Sequence, residues 1–260
     1  MHSSHSDARD YFDSTTEAYS RKSTGRVSSF SALIFQRRIQ IVERFVRRLP
    51  KGGKVLDFGM GPAVFCAPAV DHGLSYLGVD IAPKMVEEAR ALNIPGATFE
   101  VGDLDALGKY QDSQDAVLAI GLIDYLEIPD DGFRALSQCV KPKGHVIVSF
   151  RNKYSVPRTL RDVAKAVWRT LSGGPAQEAE RAFFSAVHEK AFSRSELEAA
   201  FRKHDFETFE VGYFNCSPFF FDFPLPGPLW KLWLALDSVL ARGFTSFMCS
   251  GGVLLGRKKA

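Results

Sequence analysis

The stretch Val55-Leu56-Asp57-Phe58-Gly59-Met60-Gly61-Pro62-Ala63 decides the reading of this chain. The apolar run that begins at Lys54-Val55 predicts a buried strand. Two glycines at alternate positions then turn the chain. Without a Cβ, Gly59 and Gly61 let backbone lie against a ligand. Pro62 suits the first position of a helix, where its missing N–H costs nothing. The run Ala63-Val64-Phe65-Cys66-Ala67-Pro68-Ala69-Val70 is the expected helix, one that Pro68 would kink. Strand, glycine turn and helix N-terminus together make a socket for a cofactor. A dinucleotide fingerprint, G-x-G-x-x-G, needs a third glycine where Val64 stands, which argues against NAD or FAD.

Downstream the pattern alternates strand and helix. Strands are predicted at Tyr76–Val79, Thr98–Val101, Ala116–Ile120 and His145–Phe150, with helices from Pro83 to about Leu92 and from Asp131 to Val140. Strands separated by helices pair in parallel through right-handed crossovers, and ligands bind at their carboxyl ends. Acids stand at two of those ends. Asp80 ends the second strand, where a carboxylate can accept both hydroxyls of a ribose. Asp103, after the third, can meet an adenine amino group. Either acid also serves as an ordinary helix cap, and it is their joint position at successive strand ends that favours a site.

Upstream, residues 7–49 read as helical with a break at Ser23-Thr24-Gly25. Leu33, Ile34, Ile41, Phe45 and Val46 recur at helical spacing, and the arginines among them read most simply as a solvated face. The net charge of +3, from 33 basic and 30 acidic side chains, is too balanced to imply nucleic-acid binding. Four dispersed cysteines form no C-x-x-C pair, so they read as core residues in a reducing compartment, neither a disulfide framework nor a metal site. The polar Met1–Ser6 is no signal peptide, and no window is apolar enough to span a membrane.

Asp57-x-Gly59-x-Gly61-x-Ala63 resembles motif I of the class I S-adenosyl-L-methionine (SAM)-dependent methyltransferases, D-x-G-x-G-x-G, with Ala63 in place of the third glycine. Gly78–Met85, Gly102-Asp103-Leu104 and Leu136–Phe150 resemble the motifs that follow it, and about a hundred residues are covered. The small-molecule type, above all the ubiquinone-biosynthesis O-methyltransferase group, is the nearest. The resemblance implies an α/β fold, a seven-stranded mostly parallel sheet with an antiparallel last strand, and SAM as cofactor. It assigns the methionine end to Gly59, Gly61 and Asp57, the ribose to Asp80 with Ile81, and the adenine to Asp103 with Leu104. It places Gly121 and the loop Leu122-Ile123-Asp124-Tyr125 between the methyl group and the acceptor. Tyr11-Phe12-Asp13 and Tyr19 resemble the group's N-terminal lid helix. Tyr11, Tyr19, Tyr125 and Arg151 are then acceptor-side candidates.

Asp124 is a candidate base for an acceptor hydroxyl, or equally a polar cap on its loop. His188, titratable near neutral pH, is a second candidate, or an ordinary histidine between cap and core. The loop lacks the Asn-Pro-Pro-Tyr or Asp-Pro-Pro-Tyr motif of enzymes acting on nucleic-acid bases or glutamine, which makes those substrates unexpected. After the fifth strand come a helix through Val163 and Leu171, a charged helix toward Phe183-Phe184, and a capping box at Ser193-Arg194-Ser195-Glu196. A sixth strand, Phe206–Phe214, and a last, Ser250–Arg257, flank an insertion rich in Phe and Pro. Its helix carries Leu229, Leu232, Trp233, Leu236, Val239 and Leu240 on one broad face. That face either packs on the sheet or meets a hydrophobic acceptor or a membrane surface.

The chain so divides into an N-terminal helical lid (1–50), a SAM-binding core (51–150), a helical cap with linking helix (151–205) and C-terminal strands (206–260) carrying the insertion 215–244. The expected reaction is methyl transfer to a small, hydrophobic or aromatic acceptor, at oxygen before nitrogen or carbon; the alternative is a non-catalytic partner protein on the same SAM-binding fold. No metal is called for, and a cytoplasmic location is expected.

Overall fold

Successive side chains of a strand point to opposite faces of a sheet, and both faces of β1 (Lys54–Phe58) are covered. Val55 joins one apolar layer, while Leu56 and Phe58 join the other. A computed structural model of the chain describes residues 9, 10, 12–14, 16, 30–126, 129–172, 190–216, 229–241 and 243–260. Helix α1 (Phe30–Val46) precedes β1. There follow α2 (Cys66–Asp71), β2 (Ser75–Asp80), α3 (Pro83–Ala91), β3 (Ala97–Val101) and β4 (Gln114–Ala119). Then come α4 (Pro129–Cys139), β5 (Val140–Arg151), α5 (Val156–Ser172) and α6 (Arg194–Lys203). The chain closes with β6 (Phe206–Phe214), α7 (Leu229–Leu240) and β7 (Gly251–Lys258).

The seven strands form one sheet in the order β3-β2-β1-β4-β5-β7-β6. The first five pair in parallel, and β7 runs antiparallel between β5 and β6. This is the sheet expected from the sequence. The strand order reverses direction between β1 and β4, so the loops after these strands diverge and leave a crevice at their carboxyl ends. Val42, Phe45 and Phe65 cover one face of the sheet with Leu118, Ile147 and Val253. Phe133, Leu136 and Phe201 cover the other with Val117, Val146 and Leu254. The capping box forms as read: the Ser193 hydroxyl accepts the Glu196 N–H at 3.2 Å, and the Glu196 carboxylate accepts the Ser193 N–H at 2.8 Å.

Two expectations are corrected. No helix starts at Pro62. Ala63 adopts φ +52°, in the left-handed region, and α2 is delayed to Cys66. Pro68 then falls in the first turn of α2, where no intrahelical donor is needed, so nothing has to kink. The glycine turn accordingly has no helix N-terminus behind it. The second correction concerns the cysteines. Cys216 and Cys249 are joined as a disulfide. Phe214 pairs with Gly251 in the β6–β7 ladder, and two residues further out on each strand the chains still run side by side. Cys66 and Cys139 remain buried thiols, and burial pushes each up to about 11.

Beside the disulfide, buried Asp237 of α7 accepts the N–H groups of Cys216 (2.6 Å) and Asn215 (3.4 Å) and pairs with Arg37 of α1 at 3.3 Å. One carboxylate so ties α7 to the end of β6 and to the first helix. Among the described residues no helix is long and apolar enough to cross a membrane.

Candidate cofactor and acceptor site

The period of two that buries Val55 also turns Asp57 into the layer under α1 and α2. Its carboxylate is almost fully buried, and Oδ2 accepts the Tyr76 hydroxyl at 2.7 Å. Oδ1 has no hydrogen-bond partner. Burial pushes this carboxyl up to about 7, against the opposing pull of the Tyr76 hydroxyl and with a further push from Asp80. An ionisable oxygen left alone in the interior is costly, unless something positive is meant to meet it.

The chain then crosses the crevice. Gly59 and Met60 both donate their N–H groups to the Val79 carbonyl, at 2.8 and 3.3 Å, which pins the turn to β2. Gly59 has φ +71°, and a Cβ there would lie 2.9 Å from Cδ1 of Leu122 in the loop after β4. The two loops that flank the switch point therefore touch, and glycine meets the positive φ without strain and leaves room for Leu122. Ala63 carries the cost of a left-handed residue with a side chain, roughly 1 kcal/mol. Ala63→Gly should relieve it and, after the added freedom of the unfolded chain, raise stability by up to about 1 kcal/mol. A thermal unfolding midpoint higher by about 2 °C is the expected reading.

Asp80 binds the turn from the other side. Its Oδ2 accepts the Gly61 N–H at 2.8 Å and its Oδ1 the Ala82 N–H at 2.9 Å. Burial raises this carboxyl above its ordinary value, while the amides of Ala82, Gly61 and Ile81 oppose the rise. Two N–H groups occupy two of the roughly four lone-pair positions of a carboxylate, which leaves acceptor capacity for hydroxyls. Asp103 caps the 3-10 turn Asp105–Tyr110 by accepting the Ala106 N–H at 3.2 Å, and half-buried Leu104 packs on the second core layer.

On the acceptor side, the Gly121 N–H (φ +73°) donates to Oγ of buried Ser149 at 2.7 Å. Asp124 is buried and accepts the Arg151 N–H at 3.1 Å, with Nε of Arg151 at 3.9 Å. The structure so brings Asp124 and Arg151 together, with the partners of a carboxylate that holds its loop to β5. Lys190 closes over the same loop, donating its N–H to the Asp124 carbonyl and its ammonium to that of Leu126. Tyr125 meets Phe12 edge to face at 5.8 Å. Next to Phe12, Asp13 accepts the Lys84 N–H at 2.9 Å and pairs with its ammonium, so the N-terminal turn bridges the start of α3 and the loop after β4. Tyr11, Tyr19, His188 and the aromatic run 218–228 lie outside the described residues.

One residue was passed over in the sequence. Arg38 lines the cleft between α1 and the glycine turn, together with Phe35, Ile39, Met60, Pro62 and Phe65. Its guanidinium lies over the Phe35 ring at 4.8 Å, and its Nε is buried without a hydrogen-bond partner. The signal was present: Arg38 precedes Ile41 by three positions and Phe45 by seven, on the apolar face of α1. An arginine in that stripe is out of place unless it serves a ligand. Ser149, Tyr76 and Asp13 carried no local signal, because each meets its partner only through the folded sheet.

Cofactor and site fit on these observations: bare backbone at the turn, a buried unpartnered carboxylate oxygen on Asp57 just before it and a buried unpartnered guanidinium nitrogen on Arg38 in the cleft the turn lines. Residues 31–211 match the model of a methyltransferase domain family. A ubiquinone biosynthesis O-methyltransferase of Leptothrix cholodnii is 30% identical over 121 residues, which are 45% of this chain and 51% of that protein. A magnesium-protoporphyrin O-methyltransferase of Rhodobacter capsulatus is 30% identical over 150 residues, 53% and 65% of the two chains. The matched segments so span between about half and two thirds of these relatives. Among solved structures, the magnesium protoporphyrin IX methyltransferase of Synechocystis PCC 6803 with bound SAH superposes with a TM-score of 0.66, at 17% identity, covering 98% of this chain and 99% of the other. That likeness speaks for the fold. By its motif, its sheet and the extent of the family match, the chain belongs to the methyltransferase domain family, with the class I architecture and SAM as its cofactor.

Proposed function

We propose that the protein transfers the methyl group of SAM to an oxygen of a small, hydrophobic or aromatic acceptor. The observation that carries the reading is the pair of buried atoms of opposite sign without hydrogen-bond partners, Asp57 Oδ1 two residues before the bare glycine backbone and Arg38 Nε in the cleft that backbone lines. An amino-acid end with one ammonium and one carboxylate has the matching charges. Asp80 would hold the ribose through its remaining lone pairs, with Ile81 beside it, and Asp103 and Leu104 the adenine. The relatives named as O-methyltransferases support oxygen as the acceptor atom.

The cofactor supplies a methyl group already activated on a sulfonium. The chain's task is to hold an acceptor in line with it and to keep water out, and proximity of this kind supplies much of a rate. Gly121 and Tyr125 face that region from the loop after β4, and Phe12 covers Tyr125. Asp124, tied to Arg151, sets the position of the loop. Asp124→Asn should therefore lower kcat about tenfold or more while leaving the affinity for S-adenosylhomocysteine within about twofold.

Arg38→Met keeps the apolar stem and removes the charge. The expected loss is about tenfold to a hundredfold in S-adenosylhomocysteine affinity by calorimetry, the size of a charge-assisted hydrogen bond. The unfolding midpoint should fall little, since Nε has no hydrogen-bond partner to lose and only the stacking on Phe35 goes. The reaction itself is tested by incubating the protein with methyl-labelled SAM and a metabolite extract, and following label by mass spectrometry. Label on a hydroxyl of an apolar compound supports the reading. Label on nitrogen or carbon corrects the acceptor atom. Binding without any transfer overturns the enzymatic reading.

A further inference from the structure

The register of the sheet brings a second buried residue to Asp57. β1 and β2 run in parallel, with Val55 opposite Tyr76 and Asp57 opposite Gly78. Alternate side chains share a face, so the Tyr76 hydroxyl reaches Asp57 past a residue that has no side chain. A Cβ on Gly78 would come 3.1 Å from Cε1 of Tyr76 and would overlap Sδ of Met60. Met60, the residue between the two glycines of the turn, is itself buried and closes the space over Gly78. Phe99, opposite Gly78 on β3, packs on the Tyr76 ring with centroids 6.0 Å apart.

A buried tyrosine and acid are a costly way to fill this space. Apolar side chains would need no hydrogen bond, and an asparagine would satisfy the hydroxyl without a charge. What a carboxylate adds is a charge and a second equivalent oxygen, and Oδ1 is the one left without a partner. A phenol has one proton to give, and Tyr76 gives it to Oδ2. Among the described residues this hydroxyl is the only hydrogen-bond donor to the carboxylate. A donor favours the charged form of an acid, so the bond works against the burial that favours the proton.

The other neighbours give no such help. Asp80, at the end of β2, is a like charge. The Cys66 thiol of α2 is held neutral by burial, and Leu118, opposite Asp57 on β4, is apolar. From α1, Arg38 stands in the cleft that Met60 also lines, and from α3 the Arg90 guanidinium is held on the Phe99 carbonyl at 2.8 Å. Burial first and Asp57 second keep the ionisation of Tyr76 itself well above its ordinary range, so the hydroxyl stays a donor.

We propose that Tyr76 is a positioning residue for cofactor binding. Its hydroxyl holds one oxygen of Asp57, keeps the carboxylate in its charged form and leaves the other oxygen for the ammonium of the cofactor. The inference rests on the reading that this ammonium meets Asp57. Tyr76 acts through the acid alone.

Tyr76→Phe keeps the ring and its packing on Phe99 and removes the donor. Calorimetric titration with S-adenosylhomocysteine, between about pH 6 and about pH 9, reads the pH at which affinity levels off. The parent should level off above about 7, and the variant at least about one pH unit higher. Below neutral pH the variant should bind about tenfold more weakly, and at the alkaline end the two should agree within about twofold. An ortho-fluorinated tyrosine at position 76 is a stronger donor of nearly the same shape. It should move the levelling-off to lower pH, and it carries the test where the phenylalanine variant does not fold. In an Asp57→Asn background, Tyr76→Phe should change affinity by less than about twofold at every pH. A Tyr76→Phe protein that levels off where the parent does, weakened alike throughout, overturns the proposal and leaves the assignment of Asp57 standing. So does an equal loss in the Asp57→Asn background. A parent whose affinity does not rise with pH overturns both.

Discussion

Asp57→Asn should strengthen the empty protein and disable it at once. The folded carboxyl is raised to about 7 from an ordinary 3.8, chiefly by burial. A carboxyl raised by folding binds its proton more tightly in the native state, so native stability falls as pH climbs from about 4 and the whole penalty is in force above about 7. With roughly 1.4 kcal/mol per pH unit, that penalty amounts to a few kcal/mol at most. The asparagine variant escapes it. Its unfolding midpoint should exceed that of the parent at pH 8 and approach it at pH 4, while Tyr76 still finds an oxygen to donate to. The proposed function makes the opposite demand. If the ammonium of the cofactor meets this carboxylate, affinity for S-adenosylhomocysteine should rise with pH up to about 7 in the parent. The variant should lose about a hundredfold and show no such rise, the scale of a buried charged hydrogen bond. Scanning calorimetry at the two pH values and titration at a series of them check both halves. A variant that is destabilised at pH 8 would mean that the carboxylate has a partner in the folded protein.

Asp80→Asn is expected to be harmful in both respects. Each oxygen of Asp80 receives a backbone N–H, one from the glycine turn and one from the approach to α3. An asparagine offers one oxygen, and its NH₂ group would face the other N–H. An unsatisfied buried donor costs about 1–3 kcal/mol, so the midpoint should drop by several degrees. The glycine turn would also lose its tether at Gly61, and the ribose its acceptor, so S-adenosylhomocysteine binding should fall by a hundredfold or more. Because Asp80 also helps to raise Asp57, the two substitutions should not be additive. The double variant is expected to be less stable than the sum of the single effects predicts, because relief of the repulsion between the two acids is counted in both single variants and gained only once.

These two acids were legible in the sequence because strands are. Val55–Phe58, broken only by Asp57 itself, and Tyr76–Val79, which Asp80 ends, are apolar runs, and such runs are buried wherever the sheet puts them. An acid at the end of such a run has its place settled by the strand before it. Illegible features depended on partners far along the chain. Nothing near Cys216 announces Cys249, because only the antiparallel pairing of β6 with β7 makes them neighbours. Asp13 caps α3 from 71 residues away. Pro62 looked like a helix start because its own φ suits one, but the next residue decides the path, and Ala63 turns left-handed. Arg38 is a different case: its place on the apolar face of α1 could be read from spacing alone, and five arginines taken together as one solvated face hid it.

The disulfide closes a loop with a sequence separation of 33, and joins the point where the chain leaves β6 to the point where it enters β7. In chain-entropy terms such a tie is worth about 3–4 kcal/mol, drawn from the unfolded chain and not from contacts inside the loop. The excursion therefore behaves as a cartridge. Its contents could be exchanged with the seven strands left as they are only if the replacement keeps a carboxylate where Asp237 stands, since that group also holds α1 beside the cofactor crevice.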